Sequence, residues 1–493
     1  MIISIKDNQY KAVPWDEAVS AETSLDEKQQ KLLKGFSGIS LKGLSEKKKF
    51  GNFLVFPSKS ARKELEDKDY IFKSVGEKFA KPSFLTGNIM GFFRLGNDVQ
   101  MRITSRFDSS GKNYFLHYML QRVCNVAIVP QETDSEQDDF FDFLFYLFPS
   151  YLNAACRQGI YRAYVTRRYN DANVRGPVDV AKHIRFNTPF NGKIAYHTRE
   201  YTTDNKVIQL VRHTIEYIRS LQFGGSVFEN NEDVRDNVSA VVAATPTYNK
   251  SLRSQIIAQN LHPITHPYYT AYEPLRKICL AILCHKKLSY GNDSDNPIAG
   301  ILFDGASLWE EYLAKVFEEH KIGLTHSNNR GRDKGVKIFK NGGIYYPDFY
   351  KKDSKNSTTI GDCNGLVLDA KYKQLYTVTE EKIAGDEESD ETAPDGTNFH
   401  FQRNDLFQML AYMHALKANN AVLVSPYKSE NVNEWNSIKF SRDFSKQKTA
   451  LGYGGETDII ALPICSKANS FEEFSNYMRV MEENFITRIR KLL

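Results

Sequence analysis

Short apolar and alternating runs characterise the first quarter of the chain. They cover residues 2–5, 53–56, 89–93 and 99–103, and glycine, proline and asparagine residues separate them. Such runs predict β-strands, because successive side chains of a strand point to opposite faces of a sheet. We therefore predict a β-rich domain over residues 1–125 and expect it to dock onto a partner.

Helical periodicity takes over in the middle of the chain. Residues 138–172 predict one or two long helices interrupted by Pro149, since proline cannot donate the helical hydrogen bond. Residues 204–218 predict a further helix whose apolar side chains fall on one face. A polar stretch over residues 288–298 marks the end of this region, so we predict a mainly helical middle domain over residues 126–297.

One stretch of the middle domain alternates instead. Residues 175–185 and 193–201 predict two strands joined by a loop at 187–192, which together form a basic β-ribbon. Positive charge on a ribbon suits contact with DNA phosphates, although a solvated hairpin explains the pattern equally well. The residues that we expect to bind DNA are Lys182, Arg185, Lys193 and Arg199.

The most informative strand lies in the last third of the chain. An apolar run leads directly into Asp369-Ala370-Lys371. Because side chains alternate across a strand, Asp369 and Lys371 share one face and Ala370 lies on the other. An acidic residue two positions before a lysine occurs by chance about one to three times in a chain of this length. The apolar strand before Asp369 distinguishes this example from the others.

A second strand supplies another carboxylate. Residues 344–350 predict a strand with Asp348 near its end, and the polar residues 351–364 predict a hairpin loop. Antiparallel pairing with the strand of Asp369 would place the two aspartates side by side. Pro347-Asp348 in isolation would be a turn, and the second aspartate is what makes it a candidate metal ligand.

Predicted helices complete the candidate site. One begins near Ser307 and carries Glu310, which either binds the metal or closes a capping box with Ser307. Another carries Gln408 and Tyr412 four residues apart on one face, where Gln408 would contact the phosphate or the attacking water. The acidic residues 379–398 precede this helix and predict a disordered insertion.

Composition places the chain among globular proteins. It has 493 residues, of which 41% are hydrophobic, and a net charge of +5 that is compatible with nucleic-acid binding. None of the six cysteines forms a Cys-x-x-Cys pair, so neither a zinc site nor a disulfide framework is indicated. The N-terminus does not follow the signal-peptide pattern, and no apolar run approaches the roughly 18 residues of a membrane span. We expect a cytoplasmic protein with no membrane contact.

Paired carboxylates beside a lysine suit Mg²⁺-dependent cleavage of phosphodiester bonds. Asp348 and Asp369 offer the hard oxygen ligands that Mg²⁺ prefers, and the carbonyl of Ala370 would assist them. Lys371 would position or activate water and offset charge on the phosphate. The chain has no Walker P-loop, so we expect that it does not hydrolyse a nucleotide itself.

The order of these elements resembles the PD-(D/E)xK nuclease fold, in the branch with a Gln-x-x-x-Tyr helix. More narrowly, the chain resembles the McrC family, the nuclease subunits of modification-dependent restriction systems of the McrBC type, including LlaJI-like relatives. The resemblance spans about residues 160–430, and the acidic insertion departs from it. The stretches that carry it are Tyr346-Pro347-Asp348, Val367-Leu368-Asp369-Ala370-Lys371-Tyr372, Gln408-Met409-Leu410-Ala411-Tyr412, and Arg175-Gly176-Pro177-Val178-Asp179-Val180 followed by Asp204-Asn205.

This resemblance implies an α+β multidomain protein with an α/β endonuclease domain over residues 298–493 that cuts double-stranded DNA with Mg²⁺. It also implies an AAA+ GTPase partner of the McrB type, a hexameric ring that docks onto the N-terminal domain. The partner would supply translocation and recognition of modified bases. Two alternatives remain open: a non-catalytic DNA-binding or regulatory scaffold with a nuclease-like domain, and a stand-alone repair nuclease that needs no GTPase.

Overall fold

A computed structural model gives the structure of the chain. It describes residues 1–9, 11–19, 24–46, 53–56, 70–76, 80–95, 99–108, 112–124, 139–221, 224–229, 231–284, 300–327, 336–337, 344–351, 365–373, 375–377, 398–399, 403–416, 418–429 and 456–493. The chain divides into two compact units, one formed by Met1–Val123 with Ala299–Leu493 and the other by Cys124–Ile298. Helices and several sheets occur together, so the predicted α+β class is confirmed.

The N-terminal part of the first unit combines strands with short helices. Its strands are β1 (Ile2–Lys6), β2 (Phe53–Phe56), β3 (Phe72–Val75), β4 (Ser83–Thr86), β5 (Ile89–Leu95) and β6 (Val99–Thr104). Its helices are α1 (Trp15–Ala18), α2 (Glu27–Phe36), α3 (Leu41–Glu46) and α4 (Tyr114–Cys124). Alternation shapes β1, where Ile3 and Ile5 are buried and Ser4 between them is exposed. A capping box starts α2, because Asp26 Oδ1 accepts a hydrogen bond from Gln29 N at 2.7 Å and the Gln29 side chain accepts one from Asp26 N.

The second unit consists mainly of helices, as the periodicity of the sequence indicates. Its helices are α5 (Asp139–Cys156), α6 (Val180–Phe186), α7 (Lys206–Arg219), α8 (Gly224–Glu229), α9 (Glu232–Ala244), α10 (Arg253–Gln259) and α11 (Tyr272–Leu283), and its strands are β7 (Ala163–Asp171) and β8 (Ile194–Thr202). We predicted that Pro149 would interrupt the helix, but α5 continues through it. The fully buried Phe148 and Leu152 on either side of it keep the helix packed despite the missing hydrogen bond.

The predicted pairing within the β-ribbon is only partly correct. Strand β8 pairs antiparallel with β7 along its whole length, and of residues 175–185 only Val178 pairs with it, in a single antiparallel bridge to Tyr196. Residues 180–186 instead form α6, because Asp179 Oδ1 accepts a hydrogen bond from Lys182 N at 3.1 Å and caps a helix. The helical prediction for residues 138–172 is wrong over 163–171, which form β7. This strand is rich in Val, Thr and Tyr, the residue types that favour strands, and its polar residues conceal this preference.

The C-terminal part of the first unit begins with a strand and ends with a long helix. Its strands are β9 (Gly300–Asp304), β10 (Thr325–His326), β11 (Val336–Lys337), β12 (Ile344–Tyr345), β13 (Phe349–Lys351), β14 (Gly365–Ala370), β15 (Tyr376–Thr377), β16 (Asn398–Phe399), β17 (Ala418–Ser429) and β18 (Glu456–Cys465), and its helices are α12 (Gly305–Glu319), α13 (Arg403–Leu416) and α14 (Phe471–Arg490). The acidic insertion that we predicted lies outside the described residues, apart from Asn398.

Helix α12 begins at Gly305, two residues before Ser307, the residue that would cap it if Ser307 and Glu310 formed a capping box. Asp304 is the N-cap, and its Oδ1 accepts hydrogen bonds from Ala306 N and Ser307 N, both at 3.2 Å. Ser307 therefore lies inside the helix, and its hydroxyl donates to Asp304 Oδ2 at 2.8 Å. The alternative in which Ser307 and Glu310 form a capping box is therefore wrong, because Asp304 already accepts hydrogen bonds from the free amides of the first turn.

A five-stranded sheet, the N-terminal sheet, has the strand order β1-β6-β5-β9-β2. Strands β1 and β6 are parallel, and β5 pairs antiparallel with β6 and with β9. Phenylalanine rings fill the space above it, for example Phe36 and Phe93, whose centroids are 5.2 Å apart. Strand β9 comes from the C-terminal segment of the chain, so the segments 1–125 and 298–493 share one sheet.

A second five-stranded sheet, the C-terminal sheet, has the strand order β10-β13-β14-β17-β18. Strands β13 and β14 pair antiparallel with Phe349 opposite Leu368, which is the hairpin pairing that we predicted. Strands β14, β17 and β18 run parallel. Helix α13 packs on one face, where Met409, Tyr412 and Met413 join a buried apolar cluster.

Buried polar contacts join three helices of the first unit at Glu482. Its Oε1 accepts hydrogen bonds from Tyr118 Oη of α4 at 3.0 Å and Tyr312 Oη of α12 at 2.6 Å. Its Oε2 lies 2.8 Å from Arg122 Nη2. Burial raises the pKa of Glu482, while Arg122 and the two phenols oppose this rise. Within the described part of the chain, no helix is long and apolar enough to span a bilayer.

Candidate active site

Asp348 and Asp369 lie beside each other at one end of the C-terminal sheet. Phe349 faces Leu368 in the antiparallel pair, so the next position outward on each strand is an aspartate. The Oδ2 atom of Asp348 accepts a hydrogen bond from Ala370 N at 2.7 Å. Asp369 is only 2% exposed. The pairing of the strands therefore brings two carboxylates to one place, and one of them is almost fully removed from water.

Lys371 directs its ammonium group to the same place. Its Nζ is 2.6 Å from Asp369 Oδ2 and 3.1 Å from Gln408 Oε1. Burial lowers the pKa of Lys371, but the charge of Asp369, its hydrogen bond and the charges of Asp405 and Asp348 outweigh burial, so the pKa is raised. Lys371 is therefore a cation at neutral pH.

Helix α13 covers this end of the sheet with polar side chains at helical spacing. Gln408 Nε2 donates to Tyr412 Oη at 3.2 Å. Asp405 lies one turn earlier and is buried; its Oδ2 is 2.6 Å from Lys373 Nζ and its Oδ1 is 3.5 Å from Lys371 Nζ. Sequence reasoning missed Asp405 and Lys373. Their spacing was the available signal, because Asp405 precedes Gln408 by three positions and Lys373 follows Lys371 by two.

Glu310 lies on the other side of the C-terminal sheet. Its Oε1 is 2.8 Å from His326 Nε2, and the His326 ring stacks on Phe349 with centroids 4.8 Å apart. Phe349 faces α12, whereas Tyr350 packs into the cluster under α13. The structure thus pairs Glu310 with a histidine that sequence reasoning did not single out. Its role as a metal ligand stays a prediction.

The donor set at the two aspartates fits a hard divalent cation. Carboxylate and carbonyl oxygens are the ligands that Mg²⁺ favours, and Mg²⁺ usually takes one or two carboxylates and completes its shell with water and substrate phosphate. Among the residues that the structure describes, no three histidine, cysteine, aspartate or glutamate side chains form a metal-binding group. The two carboxylates of Asp348 and Asp369, with the carbonyl of Ala370, match the smaller set that Mg²⁺ requires.

The four predicted DNA-binding residues lie in the second unit on and next to α6 and β8. Lys182 and Arg185 belong to α6, Lys193 directly precedes β8, and Arg199 lies within it. The Arg199 guanidinium lies 4.7 Å from the ring centroid of Tyr164 on β7. Arg185, Lys193 and Arg199 are exposed and Lys182 is half-buried. DNA binding by these residues stays a prediction.

A family model of McrBC 5-methylcytosine restriction system components matches residues 85–426. The chain belongs to this McrBC family. The matched range includes Asp348, Asp369, Lys371 and Gln408, so the candidate site lies within the part that defines membership. A comparison with curated protein sequences gives no match.

Two solved structures from Thermococcus gammatolerans are similar to this McrBC-family chain. One is a half-complex from a tetradecameric assembly of McrB AAA+ hexamers with bound McrC, at 14% identity and a TM-score of 0.42, covering 98% of this chain and 100% of that one. The other is a cryo-EM structure of the McrBC complex, at 13% identity and a TM-score of 0.29, covering 65% of this chain and 88% of that one.

Proposed function

We propose that this chain is the Mg²⁺-dependent endonuclease subunit of a restriction complex, with an active site of the PD-(D/E)xK type. The observation that carries the proposal is the position of Lys371, whose Nζ lies 2.6 Å from the buried Asp369 at the point where Asp348 comes alongside. A cluster of two carboxylates and one ammonium with a buried member is costly to desolvate, and such clusters are common at functional sites.

Each residue of the site has a distinct role in the proposal. Asp348, Asp369 and the carbonyl of Ala370 would hold Mg²⁺, which when bound stabilises negative charge on the phosphate. Lys371 keeps its proton, since its pKa is raised, and would orient the attacking water and offset phosphate charge as a cation. Gln408 accepts a hydrogen bond from Lys371 and so restricts where the ammonium lies.

Glu310 takes a more peripheral place in the proposed mechanism. Its carboxylate is hydrogen-bonded to His326, and it would have to leave that partner to reach the metal or the water. We therefore assign metal binding first to the two aspartates and keep Glu310 as a further ligand that becomes available when DNA binds.

The proposed substrate is double-stranded DNA, and the proposed partner is an AAA+ GTPase of the McrB type that forms a hexameric ring. The family is described as one component of a 5-methylcytosine restriction system, which supports both the modified substrate and the need for another component. The sequence has no Walker P-loop, so nucleotide hydrolysis would belong to the partner. Exposed Arg185, Lys193 and Arg199, with Lys182, would contact the phosphate backbone.

A cleavage assay with a single lysine variant tests the proposal. The chain would be assembled with its AAA+ partner and GTP, and cytosine-methylated and unmethylated plasmids would be incubated with Mg²⁺ or with EDTA. We expect Lys371→Ala to lower the cleavage rate by at least about 100-fold, because it removes a charge that stabilises the transition state. Partner binding should not change. Lys315→Ala is the matched control, since Lys315 pairs with Glu318 at 2.7 Å on the exposed surface of α12.

The same assay separates the proposal from its alternatives. Metal-dependent cleavage that needs the partner and GTP supports the restriction subunit. Cleavage of DNA ends without partner or GTP would favour a stand-alone nuclease. Absence of cleavage by the fully assembled wild-type complex would favour a binding scaffold. Full activity of well-folded Lys371→Ala would refute the proposed role of Lys371.

A further inference from the structure

Tyr372, the residue after Lys371, is held by the loop that follows β6 in the N-terminal sheet. It is 4% exposed, and its Oη lies 2.9 Å from Ser105 Oγ. Phe107 packs edge-on against its ring with centroids 5.4 Å apart. The Arg106 guanidinium lies 4.8 Å from the centroid of the same ring, and its Nη2 donates to the Tyr372 carbonyl. Both the side chain and the main chain of Tyr372 are therefore fixed from the N-terminal side.

Asp7 at the end of β1 holds this loop in turn. It is fully buried, and its Oδ1 accepts a hydrogen bond from Arg106 N at 2.6 Å. Burial raises the pKa of Asp7, while the charge of Arg106 and the hydrogen bond from its main chain oppose the rise. A buried carboxyl that lost these donors would be costly, so Asp7 favours a single arrangement of its neighbours.

The start of α12 closes the remaining space around Tyr372. A Cβ atom on Gly305 would lie 2.6 Å from Tyr372 Cε1, closer than real side-chain contacts allow. Gly305 N donates to Asn88 O at 2.9 Å, and Arg106 Nη1 donates to Asn88 Oδ1 at 3.5 Å. Two segments that are distant in sequence, the loop after β6 and the start of α12, therefore meet at one tyrosine ring, and Asn88 links them.

Lys371 lies between this contact and the end of the C-terminal sheet. Its main-chain N donates to Val424 O at 2.8 Å, one residue beyond the end of β14 at Ala370. The next residue, Tyr372, is anchored outside the C-terminal sheet. The path of the chain at Lys371 is thus set by two attachments, one to β17 and one to the N-terminal sheet.

We propose that Asp7, Arg106 and Tyr372 form an N-terminal clamp that positions Lys371 in the active site. The proposal rests on the function proposed above and extends it. It makes the N-terminal sheet a structural part of the nuclease site, in addition to any role in partner docking. The three residues are positioning residues, because they act through the main chain of Lys371 and do not touch the reacting groups.

A pair of tyrosine variants tests the clamp. Tyr372→Phe keeps the ring and removes the hydroxyl that contacts Ser105 Oγ and Met90 Sδ. Tyr118→Phe is the matched control, since its buried hydroxyl donates a hydrogen bond to Glu482 at 3.0 Å in the same unit. Two measurements would be made on the full chain: hydrogen exchange of the Lys371 amide, and the kcat and Mg²⁺ midpoint of plasmid cleavage in the assembled complex.

We expect the two variants to lose similar thermal stability but to differ at the site. In Tyr372→Phe the Lys371 amide should exchange about fivefold to tenfold faster, the equivalent of one net hydrogen bond. The kcat should fall about ten- to a hundredfold, because small displacements of a catalytic group cost rate. We expect Arg106→Gln to show the same faster exchange and lower kcat as Tyr372→Phe. Arg106→Lys keeps the charge and a donor, so its kcat should lie between those of Arg106→Gln and the wild type.

Equal exchange at Lys371 in Tyr372→Phe and Tyr118→Phe would overturn the clamp, as would equal kcat and equal Mg²⁺ midpoints in an active complex. A wild-type complex that cleaves no DNA would defeat the proposed function by itself. In that case the exchange measurement still decides whether the clamp fixes Lys371.

Discussion

At Lys371, two aspartates lie close to one ammonium group. Asp369 Oδ2 is 2.6 Å from Nζ and Asp405 Oδ1 is 3.5 Å from it, and Asp405 also holds Lys373. One carboxylate of α13 therefore contacts both Lys371 and Lys373. Burial lowers the pKa of Lys371, and Asp405 helps to raise it, with a smaller effect than Asp369.

Asp405→Asn should change the pH dependence of cleavage. The variant removes one of the charges that raise the pKa of Lys371, so Lys371 would lose its proton at a lower pH and the alkaline limb of the rate profile should shift down. We also expect kcat at neutral pH to fall about tenfold, because Lys371 and Lys373 lose a shared anchor. A pH–rate profile measures both effects.

Asp16→Asn is the control for that experiment. It removes the same charge from an exposed aspartate, 83% accessible, that pairs with Lys81 at 3.4 Å. Identical alkaline limbs in wild type and Asp405→Asn would show that Asp405 does not act on Lys371.

Local sequence predicts individual elements well and their partners less well. The apolar run before Asp369 gives a buried strand, and its antiparallel pairing with the strand of Asp348 was predictable because a hairpin joins neighbouring segments. The ribbon was predicted only in part, because β8 pairs mainly with β7 across an intervening helix, and Asp179 starts that helix directly after the single bridge between Val178 and Tyr196. The contact of Asp405 with Lys371 depends on how α13 docks, which spacing alone does not determine.

Helices α4, α12 and α14 depend on one buried carboxylate, and Glu482→Ala should therefore be strongly destabilising. The variant leaves Tyr118 and Tyr312 without their acceptor and Arg122 with Glu319 alone, and we expect a loss of about 3–5 kcal/mol in the free energy of unfolding. Urea denaturation measures this loss. Tyr118→Phe removes a single hydrogen bond and should cost about 1 kcal/mol. Similar losses for the two variants would contradict a shared role for Glu482.

Across the whole molecule, the segments that we predicted as separate N-terminal and C-terminal domains meet in one sheet. Strand β9 pairs with β5 and β2, and α12 follows it directly. No local pattern reveals this pairing, because an apolar strand of five residues looks the same whichever sheet it joins. In sequence, the middle segment separates the two parts of the first unit and forms a unit of its own, so the chain leaves the first unit and returns to it.

The central claim, that Asp348 and Asp369 together hold a divalent cation, is tested most directly by calorimetric titration of Mg²⁺ into the purified chain. We predict a binding site in the wild type, and at least about tenfold weaker binding when both aspartates are replaced by asparagine, since metal ligands contribute at least as much as the residues that orient them. The Asp16→Asn variant should bind like the wild type. Unchanged Mg²⁺ affinity in the folded double variant would contradict the account.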